Sequence, residues 1–484
     1  MNRLMGLKPE AVWRYFEEIC EIPHISENED KIRKYLLGFA GKNGFESKED
    51  KVGNILITRP ASPGKEHVRP LILQSHMDMV GEKNFDNPHN WQTDPIIPYI
   101  DGDYVKAKGT TLGADDGMGM AIQMAILTDK TISCGMIECL FTVNEELGMT
   151  GAINLDPGFF RSETLLNLDS EDEGILFIGC AGGLNTEITM SYKPVRVQQG
   201  MKAMSISLNG LHGGHSGDEI HKGYANSIKA ITRLIQRIRK TTGISVSSIN
   251  GGNLRNAIPR EAFATIVYKP ADEHVISGCI SDYLRVLKNY FSHVEPEIKL
   301  TWAETRLPDE VLDEQSLDNL LNALLAAPHG VLAWSANMPD MVETSSNLAI
   351  VRMEEGNSIR IYTSQRSSSD LALNYAASMV RACFELAGGK VSHYDPYPGW
   401  EPNINSDILK RTKDSYEKLF HREPLVKSIH AGLECGLFYE KNKNLDMISI
   451  GPTIKGPHTV EEKVEIATVQ MFWDLLLDVI TTWS

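Results

Sequence analysis

Four short apolar runs constrain this chain more than any other feature, because each stops at a carboxylate or an imidazole. Leu71-Ile72-Leu73-Gln74-Ser75 runs into His76-Met77-Asp78, and the run from Ile137 to Val143 delivers Glu145-Glu146. Thr164 to Leu168 ends on Asp169, and Met447 to Ile450 reaches Pro457-His458-Thr459 after Gly451-Pro452 and a short loop. Short apolar runs rich in β-branched and aromatic residues read as buried strands. In an open α/β sheet, ligands bind in the crevice outside the carboxyl ends of the strands. The expected fold is therefore α/β, a mostly parallel sheet flanked by helices, with the polar ends of these runs gathered at one edge.

A fifth group comes from a helix start. Gly113-Ala114-Asp115-Asp116-Gly117 precedes the apolar stretch from Met118 to Leu127, which puts Asp115 near a helix N-terminus, where a carboxylate is electrostatically favoured. Two imidazoles and three carboxylates are too many for one four-coordinate zinc, yet they suit two metal ions if one carboxylate and a water bridge them. Asp115 is the expected bridge, with His76 and Asp169 completing one site and Glu146 and His458 the other. Asp78 can fix the tautomer of His76 by accepting the proton on its far ring nitrogen. Glu145 is left free to take a proton from the bridging water. Taken singly, a His after a strand is usually structural, a Glu pair is usually solvated and Asp-Asp-Gly is commonly a turn or cap. Their convergence on one sheet edge is what argues for a site.

A chain of 484 residues is too long for a single core and suggests two or three domains. Its net charge of −16 argues against nucleic acid as a partner, since phosphates call for basic patches. Met1 to Cys20 is amphipathic and carries Glu10, Glu17 and Glu18, unlike a signal peptide, and no segment is apolar enough to span a bilayer. The seven cysteines are scattered singly, without CxxC spacing, which suits buried free thiols and a cytoplasmic protein.

Residues from about 10 to 185 alternate strand-like and helix-like segments, and from about 398 a helix pattern, the strand before His458 and a closing helix follow. His458 has to reach ligands on the first segment, so residues 1–185 plus 397–484 form one discontinuous catalytic domain and 186–396 is an insertion. The insertion reads as an α+β lid domain of two similar halves. Strand Ala203 to Leu208, helix Ala225 to Arg239, strands Ile244 to Asn250 and Ala262 to Tyr268 and helix Val275 to Phe291 make the first. Strand Glu297 to Trp302, helix Leu317 to Leu325, strands Asn347 to Met353 and Ser358 to Thr363 and helix Leu371 to Ala387 make the second. Polar clusters punctuate the insertion at Leu211-His212-Gly213-Gly214-His215-Ser216-Gly217, at Asn253-Leu254-Arg255-Asn256-Ala257-Ile258-Pro259 and at Arg366.

Ser75-His76-Met77-Asp78, Gly113-Ala114-Asp115-Asp116-Gly117, Asn144-Glu145-Glu146-Leu147-Gly148, Asn167-Leu168-Asp169-Ser170-Glu171 and Gly456-Pro457-His458-Thr459 resemble the metal motifs of the co-catalytic zinc exopeptidases. That family includes carnosinase, bacterial dipeptidases and acyl-amino-acid deacylases, and the likeness in order and spacing spans essentially the whole chain. The resemblance implies two zinc ions per chain, replaceable by manganese or cobalt because nitrogen and oxygen ligands select weakly. It implies hydrolysis of dipeptides with free termini, Xaa-His dipeptides such as carnosine among them, and a lid that closes about hinges near residues 186 and 396. It further implies that His215 polarises the scissile carbonyl, that Asn256 contacts the substrate and that Arg366 holds its carboxylate. Ala431-Gly432-Leu433-Glu434-Cys435-Gly436 resembles the family's substrate loop, with Gly432 beside the substrate and Glu434 receiving its amino group. An aminopeptidase, a tripeptidase or an N-acyl-amino-acid deacylase on the same metal pair is the rival expectation. A non-enzymatic peptide binder is opposed by the intact ligand set. The expected partner is a small peptide, with neither nucleic acid nor membrane; a homodimer, with His215 acting within one chain or across the interface, is left open.

Overall fold

The computed structural model describes residues 3–484. The chain forms two compact units, one built from the chain through Gly179 with Trp400–Ser428 and Leu433–Ser484, the other from Cys180–Gly399 with Ile429–Gly432. The expected cut at 186 falls inside a strand, Gly182–Ser191, whose whole length belongs to the second unit.

The first unit is organised on an eight-stranded sheet. Leu71–His76 pairs in parallel with Ile137–Thr142 on one side and with Thr164–Asn167 on the other, and Asp446–Ser449 extends the parallel set beyond Thr164–Asn167. The neighbouring pairs Glu46–Glu49 with Ile55–Arg59, and Ile55–Arg59 with Ile137–Thr142, are antiparallel. Parallel pairing is thus concentrated in the four strands whose sequence runs end in polar groups. Every residue of Leu71–His76, Ile137–Thr142 and Thr164–Asn167 is buried, which is why these strands read as continuous rather than alternating apolar runs: both faces of a parallel sheet are covered. The helix Ala114–Thr128 is buried almost throughout. A Cβ at Gly117 would lie 3.1 Å from the Phe16 ring, so glycine there lets this helix pack closely on Glu10–Cys20.

The second unit holds a nine-stranded antiparallel sheet. Its halves differ in composition from the sequence expectation. Lys299–Thr305 does not open the second half; it pairs with Lys202–Asn209 and closes the first. The second half opens with Gly182–Ser191, which pairs with Ser358–Ser367 and with Lys390–Tyr397. The first half therefore contributes four strands and the second five, Gly330–Trp334 pairing beside Val342–Glu354, and the two sets meet where Gly251 faces Val351. The helix Ser227–Thr241 begins where the Asn226 side chain accepts the Lys229 N–H, and Glu314–Ala326 begins where Asp313 accepts that of Ser316. Ile228, Ile231, Leu234, Ile235 and Ile238 recur at helical spacing and bury against Ile206, Val246, Ile249 and Ile266 of the sheet. Truncating one such residue to alanine costs about 2–5 kcal/mol.

None of the seven cysteines forms a disulfide, and five of them are buried. No helix among the described residues is long and apolar enough to cross a membrane.

Candidate metal centre and active site

The parallel register sets the ends of adjacent strands side by side, since His76 faces Thr142 and Gln74 faces Asn167. The next residues along each chain then meet beyond the sheet edge. His76 Nε2 lies 3.1 Å from Asp115 Oδ1 and 3.3 Å from Asp169 Oδ1. His458 Nε2 lies 3.1 Å from Asp115 Oδ2 and 3.0 Å from Glu146 Oε2. One carboxylate, that of Asp115, thus serves both imidazoles with separate oxygens. His458 sits at φ +60° and Asn144, just before Glu145, at φ +52°. Backbone of this kind is unfavourable for most side chains and recurs at functional sites.

Asp78 is tied into this arrangement more widely than its place beside His76 suggests. The His76 ring points Nδ1 at the Asp78 backbone carbonyl, 3.0 Å away, with the carboxylate farther off at 3.5 Å. The carboxylate itself accepts the N–H of Glu145 at 2.9 Å, the N–H of Glu146 at 3.2 Å and the Ser26 hydroxyl at 2.8 Å. It therefore orients the acidic loop as well as the imidazole.

Electrostatics follow from packing so many carboxyls together. Burial raises Asp169 to about 7, with His76 opposing the shift and the charges on Asp115 and Glu146 adding to it. Burial also holds Glu145 well above the usual carboxylate range, opposed by His76 and reinforced by Asp169, Glu434 and Glu146. Glu171 is pushed up to about 8 by burial and by the charges on Asp115 and Asp169. For Asp115 burial acts in the same sense, but hydrogen bonds from His458 and His76 outweigh it and hold the group low. The same bonds, to Asp115 and to Glu146, raise His458 to about 11.

Such a cluster suits a cation. Asp115, Glu146 and His458 offer ligand atoms within 4.8 Å of one another, as do His76, Glu145 and Glu146 and as do His76, Asp116 and Asp169. Glu146 Oε1 is buried without a hydrogen-bond partner among the described residues, so an oxygen stands ready that no protein donor serves. Nitrogen and carboxylate donors at this spacing fit a divalent metal ion. Asp116, which has no role in the sequence reading, holds backbone instead: its carboxylate accepts the N–H of Gly119 at 3.0 Å and that of His76 at 3.3 Å. Glu462 was missed as well; it is buried and accepts backbone N–H groups of the segment leading to Asp115. Nothing in Glu461-Glu462 distinguishes that residue from a solvated acidic pair.

Glu434 lies elsewhere than expected. It begins the helix Glu434–Lys441 and is 0 % exposed, with Oε2 accepting from Gln74 Nε2 and Thr142 Oγ1, each at 2.7 Å. The loop placement is corrected because this helix turns the side chain inward, and burial pushes its carboxyl up to about 8.

The remaining residues belong to the second unit. His215 faces Ala257 in an isolated antiparallel bridge, and the Ser216 N–H donates to the Asn256 carbonyl at 2.8 Å, so the two polar loops are laced together. His215 Nδ1 is 3.2 Å from Asp218 Oδ2. The Asn256 side chain is exposed. Arg366 Nη1 donates to the Tyr397 hydroxyl at 2.9 Å, while its Nε is buried without a partner among the described residues. A Cβ on Gly432 would lie 3.0 Å from the same Tyr397 ring, so Arg366 and Gly432 flank one aromatic side chain.

Comparison with known proteins places these geometries in context. The family model described as peptidase family M20/M25/M40 matches residues 72–482. The cytosol non-specific dipeptidase of Escherichia coli (strain K12) is 41 % identical over 480 residues, covering 99 % of each chain. The aminoacylhistidine dipeptidase of Vibrio alginolyticus superposes with a TM-score of 0.93 at 39 % identity, covering 100 % of this chain and 99 % of that one. The aminopeptidase PepT of Bacillus cereus ATCC 10987 shares the fold with a TM-score of 0.58 at 17 % identity, with 98 % of each chain covered.

Proposed function

The chain belongs to the M20/M25/M40 peptidase family and hydrolyses dipeptides, and on that premise we propose that the reaction takes place at a pair of zinc ions held by His76, Asp115, Glu146, Asp169 and His458. The observation that carries the reading is the Asp115 carboxylate, whose two oxygens each lie 3.1 Å from a different imidazole. When bound, the metal ions supply Lewis acidity at the scissile carbonyl and lower the pKa of water.

The chain's own groups do the rest. Glu145 takes the proton from the attacking water and returns it to the leaving amine. Asp78 keeps Glu145 in place through the backbone N–H it accepts. His215, whose Nδ1 accepts the Asp218 N–H at 3.1 Å, carries its proton on Nε2 and donates it to the oxygen on which negative charge develops. Arg366 offers a planar fork to the free carboxylate of the substrate, and Asn256 and Gly432 flank the peptide. Dipeptides ending in histidine, carnosine among them, fall within the substrate range. The buried cysteines, none of them in a disulfide, and the likeness to the cytosol non-specific dipeptidase of Escherichia coli support a cytoplasmic enzyme.

The test is hydrolysis of β-Ala-His, Gly-His, Ala-Leu, a tripeptide and N-acetyl-Met by protein stripped with chelator and then resupplied with zinc. Zinc-restored cleavage of the dipeptides alone is expected, and the rates rank the preference for histidine. Zinc-dependent cleavage only of the tripeptide or the acylated substrate would keep the metal site and overturn the substrate assignment.

A further inference from the structure

The helix Ala114–Thr128 begins irregularly: Gly113 precedes it in a left-handed conformation at φ +70°, Asp115 (φ −86°, ψ 107°) and Asp116 (φ −109°, ψ 37°) are not helical, and the Asp116 carboxylate caps only the later Gly119 N–H, leaving those of Leu112 to Asp115 to other partners. The N–H groups at such an end need acceptors. They find one far away in sequence. Glu462 Oε2 accepts the N–H of Leu112 at 2.7 Å and of Gly113 at 3.0 Å, while Oε1 accepts those of Ala114 at 2.8 Å and of Asp115 at 3.3 Å. One carboxylate therefore gathers four successive backbone donors, the last of them belonging to Asp115 itself. It does so at 2 % exposure, where water competes little for those donors.

Glu462 also lies on the loop that carries His458. That loop spans a hairpin in which Ile454 faces Val464 and Lys455 faces Lys463, and Lys463–Glu465 pairs onward with Tyr104–Ala107. Within it the Thr459 hydroxyl donates to the Gly456 carbonyl at 2.8 Å and the Glu462 N–H to the Thr459 carbonyl at 3.1 Å. His458 and Glu462 are thus fixed to one another by a closed, internally bonded turn. Through Glu462 that turn grips the backbone of Asp115, and through His458 it meets the Asp115 side chain.

We propose that Glu462 is a positioning residue of the metal site, a carboxylate clamp that sets the bridging Asp115 and the ligand His458 as one unit. It touches no substrate and acts only by fixing where the Asp115 carboxylate stands. The inference rests on the metal reading of the site. Groups that orient metal ligands characteristically change metal affinity by about 10–100-fold when altered.

The experiment is calorimetric titration of chelator-stripped full-length protein with Co2+, together with the visible absorption of the Co2+ form, in wild type, Glu462→Ala, Glu462→Gln and Glu461→Ala. Glu461 is exposed and serves as the neighbouring control. Glu462→Gln keeps the shape but turns an N–H2 toward two of the four donors. Both Glu462 variants are expected to keep the wild-type far-ultraviolet circular dichroism, to bind Co2+ about 10–100-fold more weakly, and to show a changed Co2+ absorption at saturation; Glu461→Ala should match wild type. Wild-type affinity and absorption in Glu462→Gln would overturn the clamp, and that variant decides alone should Glu462→Ala not fold. Failure of wild-type protein to take up Co2+ would overturn the metal reading and the clamp with it, so the two failures are told apart by the wild-type titration.

Discussion

The Asp78 carboxylate accepts the backbone N–H of Glu145 at 2.9 Å while its own backbone carbonyl receives the His76 ring at 3.0 Å. A single residue thus sets the position of the proposed general base and the orientation of a proposed metal ligand. Asp78→Ala keeps the backbone carbonyl but removes the carboxylate that holds the N–H groups of Glu145 and Glu146, and should lower kcat/KM by about 10–100-fold, the range for groups that orient metal ligands. It should also destabilise the protein, because the hydrogen bonds lost are to a buried charge and count about 1.5–3 kcal/mol each. Asp78→Asn keeps the shape yet cannot accept from both loop N–H groups and Ser26 at once, so its kcat/KM should fall between the two. Steady-state kinetics with metal analysis decides; wild-type kcat/KM in Asp78→Ala would sink the assignment.

Glu145 has no side-chain hydrogen bond among the described residues, and burial and its acidic neighbours keep its proton affinity high. General-base catalysis contributes about 10²–10⁴-fold, so Glu145→Gln should lose that much kcat while retaining wild-type metal content. Loss of bound metal instead would make Glu145 a ligand, which the grouping of His76, Glu145 and Glu146 also permits geometrically.

The convergence of the proposed metal ligands is legible in the sequence for a simple reason. In a parallel sheet the register fixes which residues emerge together at the carboxyl edge, and here the apolar run stops where the ligand begins, as at Leu71–His76 and Thr164–Asn167. What failed was information held in pairing across distance. Lys299–Thr305 carries no mark of whether it joins the strand before it or opens a new set, and only its register with Lys202–Asn209 decides. Gly182–Ser191 starts on two glycines and then alternates buried and half-buried residues, so its beginning reads as a turn. Ala431-Gly432-Leu433-Glu434-Cys435-Gly436 likewise looks like a loop because two glycines flank Glu434. The eight-residue helix that starts there draws its stability from burial of Cys435, Leu437 and Phe438 rather than from propensity.

Proton release should accompany metal uptake. In the metal-free chain the Asp115 and Glu146 hydrogen bonds raise His458 to about 11, and the charge and hydrogen bonds of Asp169 and Asp115 overcome burial to raise His76. His458 therefore carries an extra proton at neutral pH and His76 is shifted toward its protonated form, and a protonated imidazole must lose that proton to ligate a metal. Affinity for zinc should climb as pH rises from about 6 to 8. Calorimetry in buffers of different ionisation enthalpy should show protons released on binding, and pH-independent affinity without release would contradict the ion-paired ligand set.

Glu434 makes a separate prediction about stability. Burial raises its folded-state value from 4.5 to about 8, against the opposing Thr142 hydrogen bond and the charge on His76. Below 4.5 the group is protonated folded or unfolded; between there and about 8 only the unfolded chain gives up the proton, so stability falls as pH rises through that window. Glu434→Gln keeps an acceptor for Gln74 and Thr142 and has no proton to lose. In chelator-treated protein its Tm advantage over wild type should grow from pH 5 to pH 8, reaching on the order of 2–5 °C. An advantage that does not change with pH would mean the carboxyl is ionised in the folded chain throughout.

Arg366 bears on which amide is cleaved. The residue is 9 % exposed, and Tyr397 takes one of its N–H groups, which fixes the plane of the fork. A charge-assisted pair with a carboxylate is worth about 1.5–3 kcal/mol, so Arg366→Ala should raise KM for a dipeptide by about 10–100-fold. The same variant should lose the preference for a free carboxylate over the C-terminal amide of the same dipeptide. Arg366→Lys should restore charge but little of the discrimination, because an ammonium cannot engage both oxygens in one plane. Tyr397→Phe, which frees the fork without removing it, should raise KM with kcat nearly unchanged. If Arg366→Ala lowers kcat for free dipeptide and amide alike, without altering the ratio of their kcat/KM values, the arginine does not read the carboxylate.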